Sequence, residues 1–195
     1  MTATDPTTHG GGHDGAREGP FAHHLDRFAA FDARVDVLVD QFRSPALDHL
    51  MYALSSAADH SMLWHAAGAL RSLRDRSIAP AKRMSKILGI ESALTNGMLK
   101  SMFRRARPER DDPPAGELLY GMRIPITSSF PSGHATSAFV AAAVLSEDGS
   151  APLWYGLAAL VASSRVYVRM HHASDVIGGA AIGVALGAIL RRTIR

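Results

Sequence analysis

The 195-residue sequence predicts an all-α fold: a helical bundle of about five core helices behind an N-terminal amphipathic helix, embedded in a membrane. Three observations carry this reading. Apolar residues recur at helical spacing, and no alternating strand pattern appears. Basic residues cluster at 71–76, 82–86, 104–110 and 191–195 between apolar stretches, as they do in loops that flank membrane helices. No segment repeats internally, and a chain of this length with 47% hydrophobic residues builds one domain with a real core.

Residues 1–20 hold Gly, Thr, His and Asp with almost nothing apolar, so they cannot offset the entropy of ordering and read as a disordered tail. This tail lacks the apolar stretch of a signal peptide, and His23 and His24 read as solvated side chains rather than a metal site. Over 21–44, Phe28, Phe31, Val35, Leu38, Val39 and Phe42 recur at helical spacing with Asp and Arg between them. They predict an amphipathic helix that lies on a membrane or covers the bundle.

Ser44 and Pro45 punctuate the chain, and the bundle takes up 45–195. Residues 46–73 form one long Ala, Leu, Met and Ser pattern, whose Asp48, His49, Asp59, His60 and His65 would face the bundle interior in lipid. A helical stretch at 84–103 leads into the longest loop, 104–129, rich in Pro, Arg and Asp. After it come 135–145, an acidic turn at Glu147, Asp148 and Gly149, then 152–168 and the wholly apolar 176–190. The last run spans about 22 Å as a helix, short of the roughly 30 Å hydrocarbon core. Within it Gly179, Gly183 and Gly187 put a glycine stripe on one face, where a second helix can approach closely. Mean hydropathy of +0.01 is low for a polytopic protein, so the plain alternative is a soluble bundle.

With no cysteine, thiolate nucleophiles, thiolate metal sites and disulfides are excluded. A net charge of +3 suits an anionic partner without choosing among nucleic acid, membrane surface and anionic substrate.

Three clusters carry chemistry. In the first, Lys100 and Arg107 followed by Pro108 would share one face of a continuing helix, two turns apart, and converge on one anion. In the second, Ser132, Gly133 and His134 stand at a helix start, where Ser caps, Gly admits a ligand and free N–H groups cradle phosphate oxygens. In the third, Arg165 precedes His171 and Asp175, an i, i+4 pair on a helical turn. The carboxylate could accept from one imidazole nitrogen and leave the other nucleophilic, while Arg165 adds a phosphate fork. Singly, each has an ordinary reading: a basic helix end, a bare cap, a surface ion pair.

Jointly, Lys-x6-Arg-Pro, Pro-Ser-Gly-His and Ser-Arg-x5-His-x3-Asp resemble the three-part signature of the type 2 phosphatidic acid phosphatase superfamily, from about Leu99 to Leu190. The resemblance implies an α-helical bundle with its site at one end, and a metal-independent reaction that needs no cofactor. It implies that His171 attacks phosphorus to form a phosphohistidine, Asp175 orients it, and His134 protonates the leaving oxygen. Lys100, Arg107, Ser132, Gly133 and Arg165 would hold the phosphoryl oxygens. Where family members commonly carry Tyr-Pro after the nucleophile, this chain has His172 and Ala173, and His172 is either a second acid or filler.

Among members of that family the chain is similar to bacterial lipid phosphatases. The implied substrate is a lipid phosphate monoester or diphosphate, with a polyprenyl-linked one of cell-envelope biosynthesis first and phosphatidate or phosphatidylglycerophosphate second. The implied location is the bacterial inner membrane, with the side of the site open, and no nucleic acid is a partner. Rival readings are a soluble acid phosphatase or vanadate-dependent haloperoxidase, and a non-enzymatic protein that binds anionic lipid.

Overall fold

The structure, a computed structural model, describes residues 27–108 and 127–194. The tail at 1–20, His23 and His24, and the loop acids Glu109, Asp111, Asp112 and Glu117 lie outside the described residues. In order come α1 (Ala29–Gln41), α2 (Pro45–Ala57), a 3₁₀ turn (Asp59–Ser61), α3 (Met62–Arg74) and α4 (Ala79–Ser92). A π-helical stretch (Ala93–Leu99), α5 (Lys100–Phe103), α6 (Gly133–Leu145), a second 3₁₀ turn (Ser146–Asp148), α7 (Ala151–Tyr167) and α8 (Ala173–Thr193) follow. The described residues contain no strand, as the apolar periodicity predicts.

The centre is α6. Its Ala135, Ala138, Val140, Ala141 and Ala142 have no exposed surface, the expected state of a helix apolar on every side. Small side chains let α8 press against it: a Cβ on Gly183 would stand 2.6 Å from the Thr136 carbonyl oxygen, and one on Gly179 2.7 Å from that of Ser132. The stripe therefore packs within the chain. From α3, α4 and α7, Trp64, Ile87, Leu88, Ala158 and Val161 complete the core around α6. Each such apolar side chain contributes roughly 1.5–3 kcal/mol when fully buried.

The helices α3, α4, α6, α7 and α8 alternate in direction, with the starts of α3, α6 and α8 and the ends of α4 and α7 at one end, which sets two unlike ends. Lys100, His134, Arg165 and His171 gather at one. At the other, Arg83 donates to the carbonyls of Arg191 and Ile194, both at 2.7 Å, and pairs with Glu147 at 2.9 Å.

Three elements depart from the sequence expectation. The 46–73 pattern is two helices, because the chain turns left-handed at His60 (φ 51°) and Ser61 (φ 60°), and α2 and α3 meet at the turn between them. Left-handed non-glycine residues cost on the order of 1–3 kcal/mol each, so tertiary contacts must hold this break. The helix carrying Lys100 ends at Phe103, with Arg104 left-handed at φ 45°, so Arg107 does not share a helical face with Lys100. Finally, α8 is 21 residues long rather than fifteen, since its polar end turns are helical too. It is the one helix among the described residues long and apolar enough to cross a membrane, by length and composition.

Helix α1 turns apolar residues both ways: Val35 and Val39 pack against the core, and the larger share face outward. Phe28, Phe31, Val37, Leu38 and Phe42 are exposed, whereas Asp32 is buried and Asp36 pairs with Arg169 at 2.9 Å. Ser44 caps α2 by accepting from the Leu47 amide at 3.3 Å. On α7 and α8, Leu153, Leu160, Ile177, Val184 and Ile189 also point outward.

Candidate active site

A cavity of about 800 Å³ opens at the end where α3, α6 and α8 begin and α5 and α7 finish. Lys100, Arg107, Gly133, His134, Arg165 and His171, six of the predicted site residues, line it. They lie far apart in sequence, and the alternating helices bring them together. The other two, Ser132 and Asp175, are fully buried just behind it.

Ser132 caps α6: its Oγ lies 3.5 Å from the Ala135 amide, its own amide donates to the Asp175 carbonyl at 3.1 Å, and its carbonyl accepts from Thr136 Oγ1 at 3.0 Å. These bonds fix the helix start. The first-turn amides of Gly133 and His134 have no acceptor within the helix and carry the positive end of its dipole. A Cβ on Gly133 would meet Asn96 Oδ1 at 3.5 Å and Lys100 Nζ at 3.7 Å, so the glycine keeps clear the space next to that ammonium. Asn96 comes from the π-helical stretch, held to Ser92 Oγ at 3.0 Å.

Arg107 arrives on extended chain instead of a helix. Its Nη1 donates to the Met170 carbonyl at 2.6 Å and lies 3.4 Å from His171 Nε2, while Nη2 reaches the Thr127 carbonyl at 3.3 Å. Arg165, 3% exposed at the end of α7, donates to Ser55 Oγ, and its carbonyl accepts the amides of Met170 and His171. The chain after α7 thus folds back over Arg165 and aims His171 at the cavity.

His171 precedes α8, whose N-cap is His172, so the His171–Asp175 pair straddles a helix start. The expected hydrogen bond is replaced by a longer approach, with Nδ1 3.7 Å from Asp175 Oδ2. Asp175 Oδ2 instead accepts the His172 amide at 2.9 Å, and Oδ1 accepts from Arg105 Nη1 at 2.6 Å. Catalytic hydrogen bonds are often long in ligand-free sites. His172 does not line the cavity. Burial holds the His171 imidazole well below its ordinary value of 6.5, at about 3, with Arg165 and Arg107 helping and Asp175 opposing. The ring is therefore neutral at physiological pH, the form in which it can act as a nucleophile.

Two groups escaped the sequence reading. Arg105, an unspecified position inside Lys-x6-Arg, bridges Asp175 to Asp32 of α1, with Nη2 to Asp32 Oδ2 at 2.8 Å. Asp32 also accepts the amide and hydroxyl of Ser174 at 2.8 and 2.7 Å. No sequence signal marks either partner, because they are 73 residues apart and belong to no shared spacing. Asp59, noted only as one polar residue of 46–73, lies with Oδ1 2.9 Å from His134 Nε2. Burial raises the carboxyl of Asp59, but His134 and Arg165 more than offset this and hold it below the usual carboxylate range. Among the described residues no group of three His, Asp or Glu stands close enough to hold a metal ion.

The chain matches the profile of the PAP2 superfamily over residues 84–195. It is 38% identical over 93 residues to decaprenylphosphoryl-5-phosphoribose phosphatase of Mycobacterium tuberculosis, covering 48% of this chain and 50% of that protein. The enzyme of the same name from Mycolicibacterium smegmatis is 33% identical over 131 residues, covering 65% of this chain and 68% of that one. Lipid A 1-phosphatase of Porphyromonas gingivalis is 36% identical over 113 residues, 53% of this chain and 22% of the relative. The chain thus spans about half the length of the Mycobacterium tuberculosis relative. In fold it resembles a transmembrane PAP2 type phosphatidylglycerolphosphate phosphatase from Bacillus subtilis, with a TM-score of 0.69 at 24% identity over 89% of this chain and 90% of the other.

Proposed function

The chain belongs to the PAP2 superfamily, and from that membership we propose that it is a membrane phosphatase that hydrolyses a lipid-linked phosphate through a phosphohistidine. The observation that carries this reading is the meeting of two imidazoles, His134 and His171, with Lys100, Arg107 and Arg165 around one cavity. Three cations and the amides at the start of α6 neutralise the equatorial oxygens of a phosphoryl group, so the chemistry can proceed without a metal.

In the first step His171 Nε2 forms a bond to phosphorus while the bond to the leaving alcohol breaks, and His134 gives that oxygen a proton. In the second, water attacks the phosphohistidine, His134 takes the proton back, and phosphate leaves with His171 neutral again. Asp175 stabilises positive charge on the His171 ring in both steps, and Arg105 holds Asp175 in place.

The substrate we favour is a polyprenyl-linked phosphate of the cell envelope, in line with the mycobacterial relatives' names. The cavity supports a hydroxylated head group next to the phosphate. Beyond the cations its wall carries Ser61, His65, Ser85, Ser92 and Asn96, which suit hydroxyl groups better than an acyl chain. Placement in the bacterial inner membrane fits the outward apolar face of α1, and the outward leucines, isoleucines and valine of α7 and α8. The test is phosphate release from a panel of purified lipid phosphates: a polyprenyl phosphoribose, a prenyl diphosphate, phosphatidate and phosphatidylglycerophosphate. The His171→Ala protein is the blank. Release from the first above all others supports the assignment, and no release from any of them overturns it.

A further inference from the structure

The turn between α2 and α3 is costly where a helix could have continued. His60 and Ser61 are both left-handed without being glycine, and strain of this kind concentrates at functional sites. What the turn achieves is the position of the residue just before them. Asp59 leaves the α2 axis and lays its carboxylate against the ring of His134, Oδ1 to Nε2 at 2.9 Å, with Arg165 Nη1 4.0 Å away on the other side.

From this geometry we infer that Asp59 is a positioning residue for the general acid, fixing the His134 ring through Nε2 and favouring its protonated form, so that Nδ1 can carry a proton to the leaving oxygen. The inference rests on the reading of the chain as a phosphatase with His134 as its acid. Nε2 is buried and lies at ion-pair distance from Asp59, which leaves Nδ1 as the nitrogen assigned to donate.

The need for such a partner follows from the rest of the site. Lys100 from α5, Arg107 from the extended chain and Arg165 from α7 surround the phosphoryl position with positive charge, and Arg165 and Lys100 disfavour a fourth cation on His134. On the anionic side the cavity offers Glu91 from α4, which is 2% exposed, and Asp59. His60, His65 and His171 complete the titratable set. Of the two carboxylates, Asp59 is the one in contact with the His134 ring. A carboxylate there favours the imidazolium against burial and the cationic neighbours Arg165 and Lys100.

The experiment compares wild type, Asp59→Asn and Asp59→Glu as full-length protein in detergent micelles. Phosphatidate and p-nitrophenyl phosphate are the probes, and each variant's thermal midpoint is measured to verify folding. Without the carboxylate the imidazolium loses its proton at lower pH. In Asp59→Asn the basic limb of the kcat profile therefore moves downward, and kcat for phosphatidate falls by about ten- to a hundredfold with KM little altered. The loss on p-nitrophenyl phosphate, whose leaving group needs less protonation, is smaller, and Asp59→Glu recovers part of the phosphatidate rate. Equal losses on both substrates with an unmoved basic limb, or no loss at all, overturn the inference while leaving the phosphatase reading intact. Failure of the wild type to release phosphate from these probes and from every lipid of the panel above overturns the reading on which it rests.

Discussion

Arg105 is the test of how far the site depends on α1. Its guanidinium is 9% exposed and serves two carboxylates at once, Asp175 at 0% and Asp32 at 4%. Replacing it with Met keeps the apolar stem and removes the charge, which strands both carboxylates away from water. Breaking a buried ion pair by removing one partner costs about 3–5 kcal/mol. For a chain of this size each kcal/mol moves the thermal midpoint by about 2–4 °C, so Arg105→Met should melt roughly 6–20 °C below wild type in the same detergent. The backbone at this point is anchored separately, by the Arg105 amide to Ser128 Oγ at 2.9 Å and the Ser129 amide to the Arg105 carbonyl at 2.9 Å. The substitution should therefore leave the chain path in place. Adding Asp32→Asn removes one stranded charge and should return part of the loss. Phosphate release should fall in the single variant, because Asp175 loses the bond that holds it behind His171. A midpoint within 2 °C of wild type, with no recovery in the double variant, would refute the claim that Arg105 ties α1 to the site.

Other expectations follow from the same geometry. His171→Ala should abolish phosphate release, and EDTA should leave wild-type turnover largely intact; chelator inhibition reversed by magnesium would contradict the three-cation account. Gly183→Val should lower the thermal midpoint, because even its Cβ would lie 2.6 Å from a backbone oxygen of α6, and forcing atoms into a packed core costs about 1–3 kcal/mol. For pH, the unfolded chain protonates His171 near 6.5 and the folded one near 3. Its share of stability is thus full above pH 6.5 and is lost as pH falls from 6.5 toward 3. Thermal midpoints measured from pH 8 to pH 5 should decline more steeply in wild type than in His171→Gln, and parallel curves would count against a buried neutral ring.

The bundle was legible because periodicity and capping act locally. Ser132 caps the helix it was expected to start, and the glycine stripe announced a close helix contact before its partner was known. The cavity-lining cations and imidazoles were legible for another reason, since their spacing repeats a known three-part signature. What stayed hidden depended on tertiary context. Nothing local in Ala58, Asp59, His60 and Ser61 demands a left-handed turn, which costs energy and survives because the packed ends of α2 and α3 hold it. Arg107 was placed on a helix by counting residues, yet Arg104 turns the chain before it arrives, and carbonyls from both Met170 and Thr127 supply the positioning. The inward-facing acids of α1, Asp32 and Asp36, likewise need their partners, Arg105 and Arg169, which lie 73 and 133 residues away.

A phosphoryl group on His171 is the most direct consequence of the whole account. Wild type and His134→Ala are incubated with a ³²P-labelled lipid phosphate, quenched in alkali, and digested for mass spectrometry. An acid-labile, alkali-stable label on the His171 peptide of wild type, weaker in His134→Ala because the leaving oxygen lacks its proton donor, and missing from His171→Ala, is the predicted result. Label on another residue, or phosphate release undiminished in His171→Ala, would contradict it.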